Sequence, residues 1–238
     1  MQIRPRLFWF SRWAAMLGLA LMLVSPLPAG QAEDEEVDLA LVLAIDCSFS
    51  VDANEFRQQM EGLGLALQRP EVMRAIHAGN HQRIAVTAMF WSDQDNQMVI
   101  IPWSIIAGEA DAREVGQKLF SMPRLLAEGG TSISMALLYA DALFEKAPSA
   151  QRRVIDVSSD GRNNVGPPVR RVRDRVLAQG ITVNALAIMN EWPTLDIYFE
   201  SQVAGGEGHF VIPTADYQSY GEAIYRKLLK EITGPGIS

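Results

Sequence analysis

The chain has 238 residues, 48% of them apolar, with 28 acids against 21 bases and a formal net charge of −7. That balance disfavours a nucleic-acid partner, because phosphate backbones are gripped by clustered cations. Cys47 is the single cysteine, so no intrachain disulfide can form and a buried core has to supply the stability.

Residues 1–32 carry Arg4, Arg6 and Arg12 and no acid, followed by an apolar stretch from Trp13 to Val24 and then Pro26, Pro28, Gly30 and Ala32. This layout predicts a secretory signal peptide cleaved after Ala32. An uncleaved anchor is the rival reading, but the apolar stretch is shorter than the ~20 residues a spanning helix needs. The expectation is therefore a periplasmic or secreted protein with no stable membrane anchor after cleavage. Its mature chain would open on the acidic segment Glu33-Asp34-Glu35-Glu36 and keep 18 bases against 28 acids, a formal charge of −10. Residues 37–232 have the length and composition of one α/β domain, and residues 233–238 read as a flexible tail.

Val37 to Ile45 is almost wholly apolar and rich in β-branched and aliphatic residues, the pattern of a strand buried on both faces of a parallel sheet. It ends in Asp46, Ser48 and Ser50, three hard oxygen donors at alternate positions. Asp52 to Gln68 predicts a helix, with Phe56, Met60, Leu63 and Leu67 at helical spacing, Asp52 as N-cap and Pro70 beyond the end. Gly62 and Gly64 weaken that helix and are read as close packing against the sheet. Arg83 to Ser92 and Gln97 to Trp103 read as a hairpin around the polar turn Ser92 to Asn96, with the second strand antiparallel at the sheet edge.

Ala110 to Phe120 and Ser132 to Lys146 then read as helices, the second preceded by the loop Gly129-Gly130-Thr131. From Arg153 onward strand and helix alternate: Val154 to Ser158, Pro168 to Ala178, Ile181 to Ile188, Leu195 to Val203, His209 to Ile212, and Tyr217 to Ile232. Alternation of this kind predicts right-handed βαβ units and a doubly wound, mainly parallel six-stranded sheet with helices on both faces.

In such sheets ligands bind at the carboxyl ends of the strands. If the first and fourth strands are neighbours, Asp46, Ser48, Ser50, Thr131 and Asp160 converge there. Two carboxylates and three hydroxyls, completed by water, suit Mg²⁺ or Mn²⁺. Together these five positions resemble the metal-ion-dependent adhesion site of von Willebrand factor type A domains, also found in integrin inserted domains. The resemblance in order and spacing spans about Val37 to Ile232. The segments Trp91-Ser92, Ile101-Pro102-Trp103, Arg153 to Ser158, Gly161 to Asn164 and Gly205 to Val211 are also similar to a family of exported bacterial von Willebrand A-like proteins with no assigned function. The resemblance implies that Ser48 and Ser50 bind the metal directly, that Thr131 does so according to state, and that an acidic residue of a partner protein fills the open position. It also implies that the last helix can couple to the site.

Other readings stand beside these. A strand-end Asp with serines nearby can be a simple helix cap. Asp156 is expected to pair with Arg152 or Arg153 rather than to bind metal. Cys47 is read as a buried thiol, with a redox switch as the alternative. His77, His81 and His209 are read as surface or loop residues rather than zinc ligands. Arg170, Arg171, Arg173 and Arg175 form a solvated face opposite Val169, Val172 and Val176, or a docking patch. Trp91 and Trp103 pack near the hairpin, or face a partner. Gly205-Gly206-Glu207-Gly208 precedes a strand and is a turn, not a phosphate loop. The function expected is a metal-dependent protein-binding module and not an enzyme. The alternatives are a phosphoryl-transfer enzyme of the haloacid-dehalogenase type, which needs a second acid where Ser48 stands, and a structural domain whose site stays empty.

Overall fold

The computed structural model describes residues 1–2 and 36–234. The segment expected to be a signal peptide, apart from its first two residues, most of the acidic segment and the last four residues lie outside the described residues. Ten residues of β1 (Val37–Asp46) are buried without a break. Leu39, Leu41, Leu43 and Ile45 enter one core while Val42 and Ala44 enter a second, which is why the strand is apolar at nearly every position.

The sheet has six strands in the order β3 (Gln97–Ile106), β2 (Ile84–Trp91), β1, β4 (Ala150–Ser159), β5 (Ile181–Ile188), β6 (Val211–Thr214). Only the β2–β3 pairing is antiparallel, with β3 on the edge. β1 and β4 are neighbours, in register from Val37 opposite Ala150 to Ile45 opposite Ser158. Their carboxyl ends therefore finish side by side.

One face of the sheet is covered by α1 (Ala53–Leu67), α2 (Pro70–His77), α3 (Glu109–Phe120) and α7 (Tyr220–Thr233). The other carries α4 (Ile133–Leu143), α5 (Val169–Leu177) and α6 (Leu195–Tyr198), the last continuing into a single π turn at Phe199–Val203. α1 starts on a capping box: Asp52 Oδ1 accepts the amides of Asn54 and Glu55 at 2.7 and 2.8 Å, and Glu55 Oε2 accepts the Asp52 amide at 2.8 Å.

Several expectations change in detail. Pro70 does not merely follow a helix but opens α2 at its first position, where the missing N–H costs nothing. Gly62 and Gly64 pack against helices rather than the sheet. A Cβ at Gly62 would lie 2.9 Å from Gly221 Cα of α7, and one at Gly64 would lie 2.5 Å from Gly116 O of α3. The final strand begins two residues later than expected because the turn before it extends through His209, with Gly206 at φ 96° and Gly208 at φ 63°.

Asp156 also finds a different partner. Its Oδ1 lies 2.7 Å from Nζ of Lys227 on α7, and the same ammonium reaches Glu231 Oε1 at 2.5 Å. All three side chains are buried. Arg152 instead donates to the Glu231 and Ile232 carbonyls at the end of α7, at 2.8 and 2.9 Å, and Arg153 donates to the Gln179 carbonyl. Arg173 is not free in solvent either, since it ties α5 to the π turn through the Ser201 and Ala204 carbonyls at 3.1 and 3.3 Å. Trp91 is wholly buried, and Trp103 donates to the Leu143 carbonyl at 3.0 Å and packs on Phe144.

Candidate metal centre

Asp46 closes β1 with its side chain fully buried. Its Oδ1 accepts the Ser48 amide at 2.7 Å and its Oδ2 accepts the Ser159 hydroxyl at 2.5 Å, so the carboxylate is held from both sides. The loop that follows brings Ser48 Oγ to 3.2 Å from Ser50 Oγ. Ser50 Oγ in turn donates to Asp160 Oδ1 at 2.6 Å, across from β1 to the end of β4. Asp160 Oδ2 is buried and has no hydrogen-bond partner among the described residues.

Thr131 reaches the same place from the loop before α4. Its amide donates to Asn164 Oδ1 at 2.8 Å and its carbonyl accepts the Asn164 amide at 2.9 Å. A Cβ on Gly161 would stand 3.3 Å from Thr131 Oγ1, so the absence of a side chain there lets the threonine lie against the Asp160 turn. Phe49 N to Gly129 O, at 3.0 Å, joins the two loops directly. All five expected residues thus gather at the carboxyl edge of the sheet, on three loops tied to one another.

Asp46 and Asp160 are poor company for each other. Burial first, and then the charge of Asp160, push the Asp46 carboxyl up to about 7. Burial also raises Asp160, against the opposing hydrogen bond from Ser50. No salt bridge reaches either carboxylate among the described residues. Two buried acids with only hydroxyl and amide partners form a site that a hard cation would relieve. The donor set is all oxygen, which fits Mg²⁺ or Mn²⁺ and offers nothing to a soft metal.

Sequence reasoning missed several supports of this site. Arg124, in the loop leading to Thr131, donates to the carbonyls of Val51, Cys47 and Ser48 at 2.7, 2.7 and 3.0 Å. One guanidinium therefore clamps the whole turn that carries Ser48 and Ser50. Nothing in the local sequence marks it. Gln59 of α1 donates to the Asp46 carbonyl at 3.2 Å. Asn163 Oδ1 accepts the Ser134 amide at 3.0 Å, capping α4 from the neighbouring loop, and the Asn163-Asn164 pair was the visible signal for such caps. Tyr217, in the turn before α7, is buried near Asp160, but its hydroxyl makes no hydrogen bond of good geometry.

The remaining candidates are elsewhere. His77 Nε2 bonds the Ala107 carbonyl at 3.0 Å, His81 Nε2 pairs with Gln151 at 3.1 Å, and His209 Nδ1 turns to Gly206 O at 2.9 Å. Among the described residues no three His, Cys, Asp or Glu side chains group to hold a metal. Cys47 is buried and its thiol is pushed up by burial and by Asp46, which argues against a reactive thiol. Among the described residues no helix is long and apolar enough to cross a membrane.

This sheet order, with the site at the crossover between β1 and β4, defines a von Willebrand factor type A fold. Solved structures share it. Proximal thread matrix protein 1 from the mussel byssus superposes with a TM-score of 0.63 at 14% identity over 83% of this chain and 49% of its own. A further structure of that protein, with a zinc-occupied MIDAS motif, gives 0.59 at 13% identity, covering 83% and 48%. A von Willebrand factor type A protein from Catenulispora acidiphila gives 0.54 at 20% identity over 82% of this chain and 43% of that one. BatB from Bacteroides thetaiotaomicron gives 0.56 at 17% identity, covering 82% and 100%. The chain spans about half the length of the first of these. No curated protein matches the sequence. A family model does, over residues 36–236: the chain belongs to the family described as "Protein of unknown function (DUF1194)".

Proposed function

We propose that this protein is an exported, adhesion-type binding module that holds Mg²⁺ or Mn²⁺ on Asp46, Ser48, Ser50, Thr131 and Asp160 and grips a carboxylate of a partner protein through it. One observation carries the reading: two buried carboxylates converge with three hydroxyls, and among the described residues no cationic side chain forms a salt bridge with either. When bound, the cation supplies a strongly electrophilic open position for an anionic oxygen. The chain supplies the rest. Ser50 links the β1 and β4 ends, Ser159 fixes the orientation of Asp46, and Arg124 holds the ligand turn in place.

The similarity to a fold in which one solved relative has a zinc-occupied MIDAS motif supports a divalent ion at this edge of the sheet. The N-terminal charge and hydropathy pattern supports export, with residues 1–32 as the leader, 33–36 as an acidic spacer, 37–232 as the binding domain and 233–238 as a tail. Ser48 stands where phosphoryl-transfer chemistry on an aspartate would need a second acid, which favours binding over catalysis. Calorimetric titration of Mg²⁺ and Mn²⁺ tests the reading. Saturable binding by the native protein and none by Asp46→Ala is expected, and no saturable binding by the native protein overturns it.

A further inference from the structure

A cleft of about 490 Å³ opens directly above the site, with Ser50 and Thr131 in its floor. Its walls are not what a bare carboxylate trap requires. Phe49, between Ser48 and Ser50, is 77% exposed, and Trp192, also in the lining, is 45% exposed. The backbone of the first and the ring of the second have neighbours that support them. Phe49 sits on a turn fixed by its amide bond to Gly129 and by the Arg124 clamp. Trp192 is backed by the Arg162 guanidinium 5.1 Å from its ring, and Arg162 also lies 5.4 Å from the Tyr198 ring and donates to Thr194 Oγ1 at 2.9 Å. Large apolar side chains on rigid supports lose little entropy on binding and are the usual anchors of an interface.

Charge narrows the occupant further. Glu191 lines the same cleft, and the whole chain carries a net charge of −7. Arg162, also in the lining, offsets that one acid, and its guanidinium lies near the Trp192 and Tyr198 rings. Beyond the bound cation the cleft offers one base against one acid on a chain of net negative charge, which favours a single carboxylate over an acidic run. We propose that the cleft receives a segment of a partner protein bearing one isolated carboxylate next to an aromatic or large aliphatic side chain, the carboxylate going to the metal and the apolar group lying between Phe49 and Trp192. This rests on the metal-dependent reading above and adds the selectivity of the same site.

A random peptide library displayed on phage, selected on the protein with Mn²⁺ and in parallel with chelator, tests it. The expected enriched peptides carry a single Asp or Glu adjacent to Phe, Trp, Tyr, Leu or Ile. Synthetic copies should bind Trp192→Ala, and separately Phe49→Ala, about tenfold more weakly or worse, while calorimetry shows unchanged Mn²⁺ affinity in both variants. Enrichment of acids with no neighbour preference, enrichment of acidic runs, or affinity indifferent to both substitutions overturns the proposal. A failure of the metal reading is separate and visible: no Mn²⁺ binding, or the same peptides recovered with chelator.

Discussion

Asp46 and Asp160 at the carboxyl edge of the sheet, and Asp156 of β4 with Glu231 of α7 where that helix packs on the sheet, are two pairs of buried acids that meet the same electrostatic difficulty in different ways. The pair between β4 and α7 has its cation built in, since Lys227 reaches the two carboxylates at 2.7 and 2.5 Å. Asn184 adds a hydrogen bond to Glu231 Oε1 at 3.1 Å. The pair at the edge has hydroxyls and amides but, among the described residues, no cation, and Ser50 and Thr131 beside it line an open cleft. Burial raises the acids in both places. The contrast sets a structural cluster, neutralised within the chain, against a site that the proposed reading completes with an ion from outside.

The sharpest way to break the comparison is to remove the internal cation. Lys227→Met leaves two carboxylates facing each other in the core and should cost about 3–5 kcal/mol in denaturant unfolding. Replacing all three residues together by apolar ones, Lys227→Met with Asp156→Leu and Glu231→Leu, should recover most of that loss. A triple variant as unstable as the single one would show that the cluster does more than balance charge.

The external cation should behave as a ligand. Mg²⁺ at about a hundredfold excess over its dissociation constant should stabilise the fold by roughly 2.7 kcal/mol, seen as a rise in Tm that vanishes in Asp46→Asn. Arg124→Ala leaves the ligands intact but frees the carbonyls of Cys47, Ser48 and Val51. Calorimetry should show Mg²⁺ affinity falling roughly 10- to 100-fold. An unchanged affinity would mean that the turn holds its shape without the clamp.

A smaller effect concerns pH. The Glu231 carboxyl is raised by burial and by Asp156 from its ordinary 4.5 to about 7. Between those values the folded state keeps a proton that the unfolded chain has lost, so this group's contribution to stability falls as pH rises through the window. The slope is at most about 1.4 kcal/mol per pH unit. Glu231→Gln should flatten that part of the stability profile and raise Tm above pH 7 relative to the native chain. A profile of the same shape in the variant would assign the slope to other groups.

The sequence by itself determined a great deal here. β1 is apolar at almost every position because both of its faces are buried, and that pattern is readable without coordinates. Asp52 with Glu55 announces the start of α1, and the alternation after Arg153 gives a parallel sheet because crossover helices must pack back on it. Asp46, Ser48, Ser50, Thr131 and Asp160 could be picked out as a set because each stands at a strand end or helix entry, and such positions share one edge in a doubly wound sheet.

Tertiary structure alone decided who neutralises whom. Asp156 lies close in sequence to Arg152 and Arg153, yet along a strand those side chains are spread by the pleat and their heads go to the ends of α7 and α5, so a lysine from the last helix takes the place. The partners of Gly62 and Gly64, the clamp from Arg124 and the aromatic walls of the cleft likewise come from elements far apart in the chain. Periodicity and turn chemistry are local and are written in neighbouring residues. The pairing of buried charges depends on which helix the sheet order brings overhead, and no window of sequence contains it.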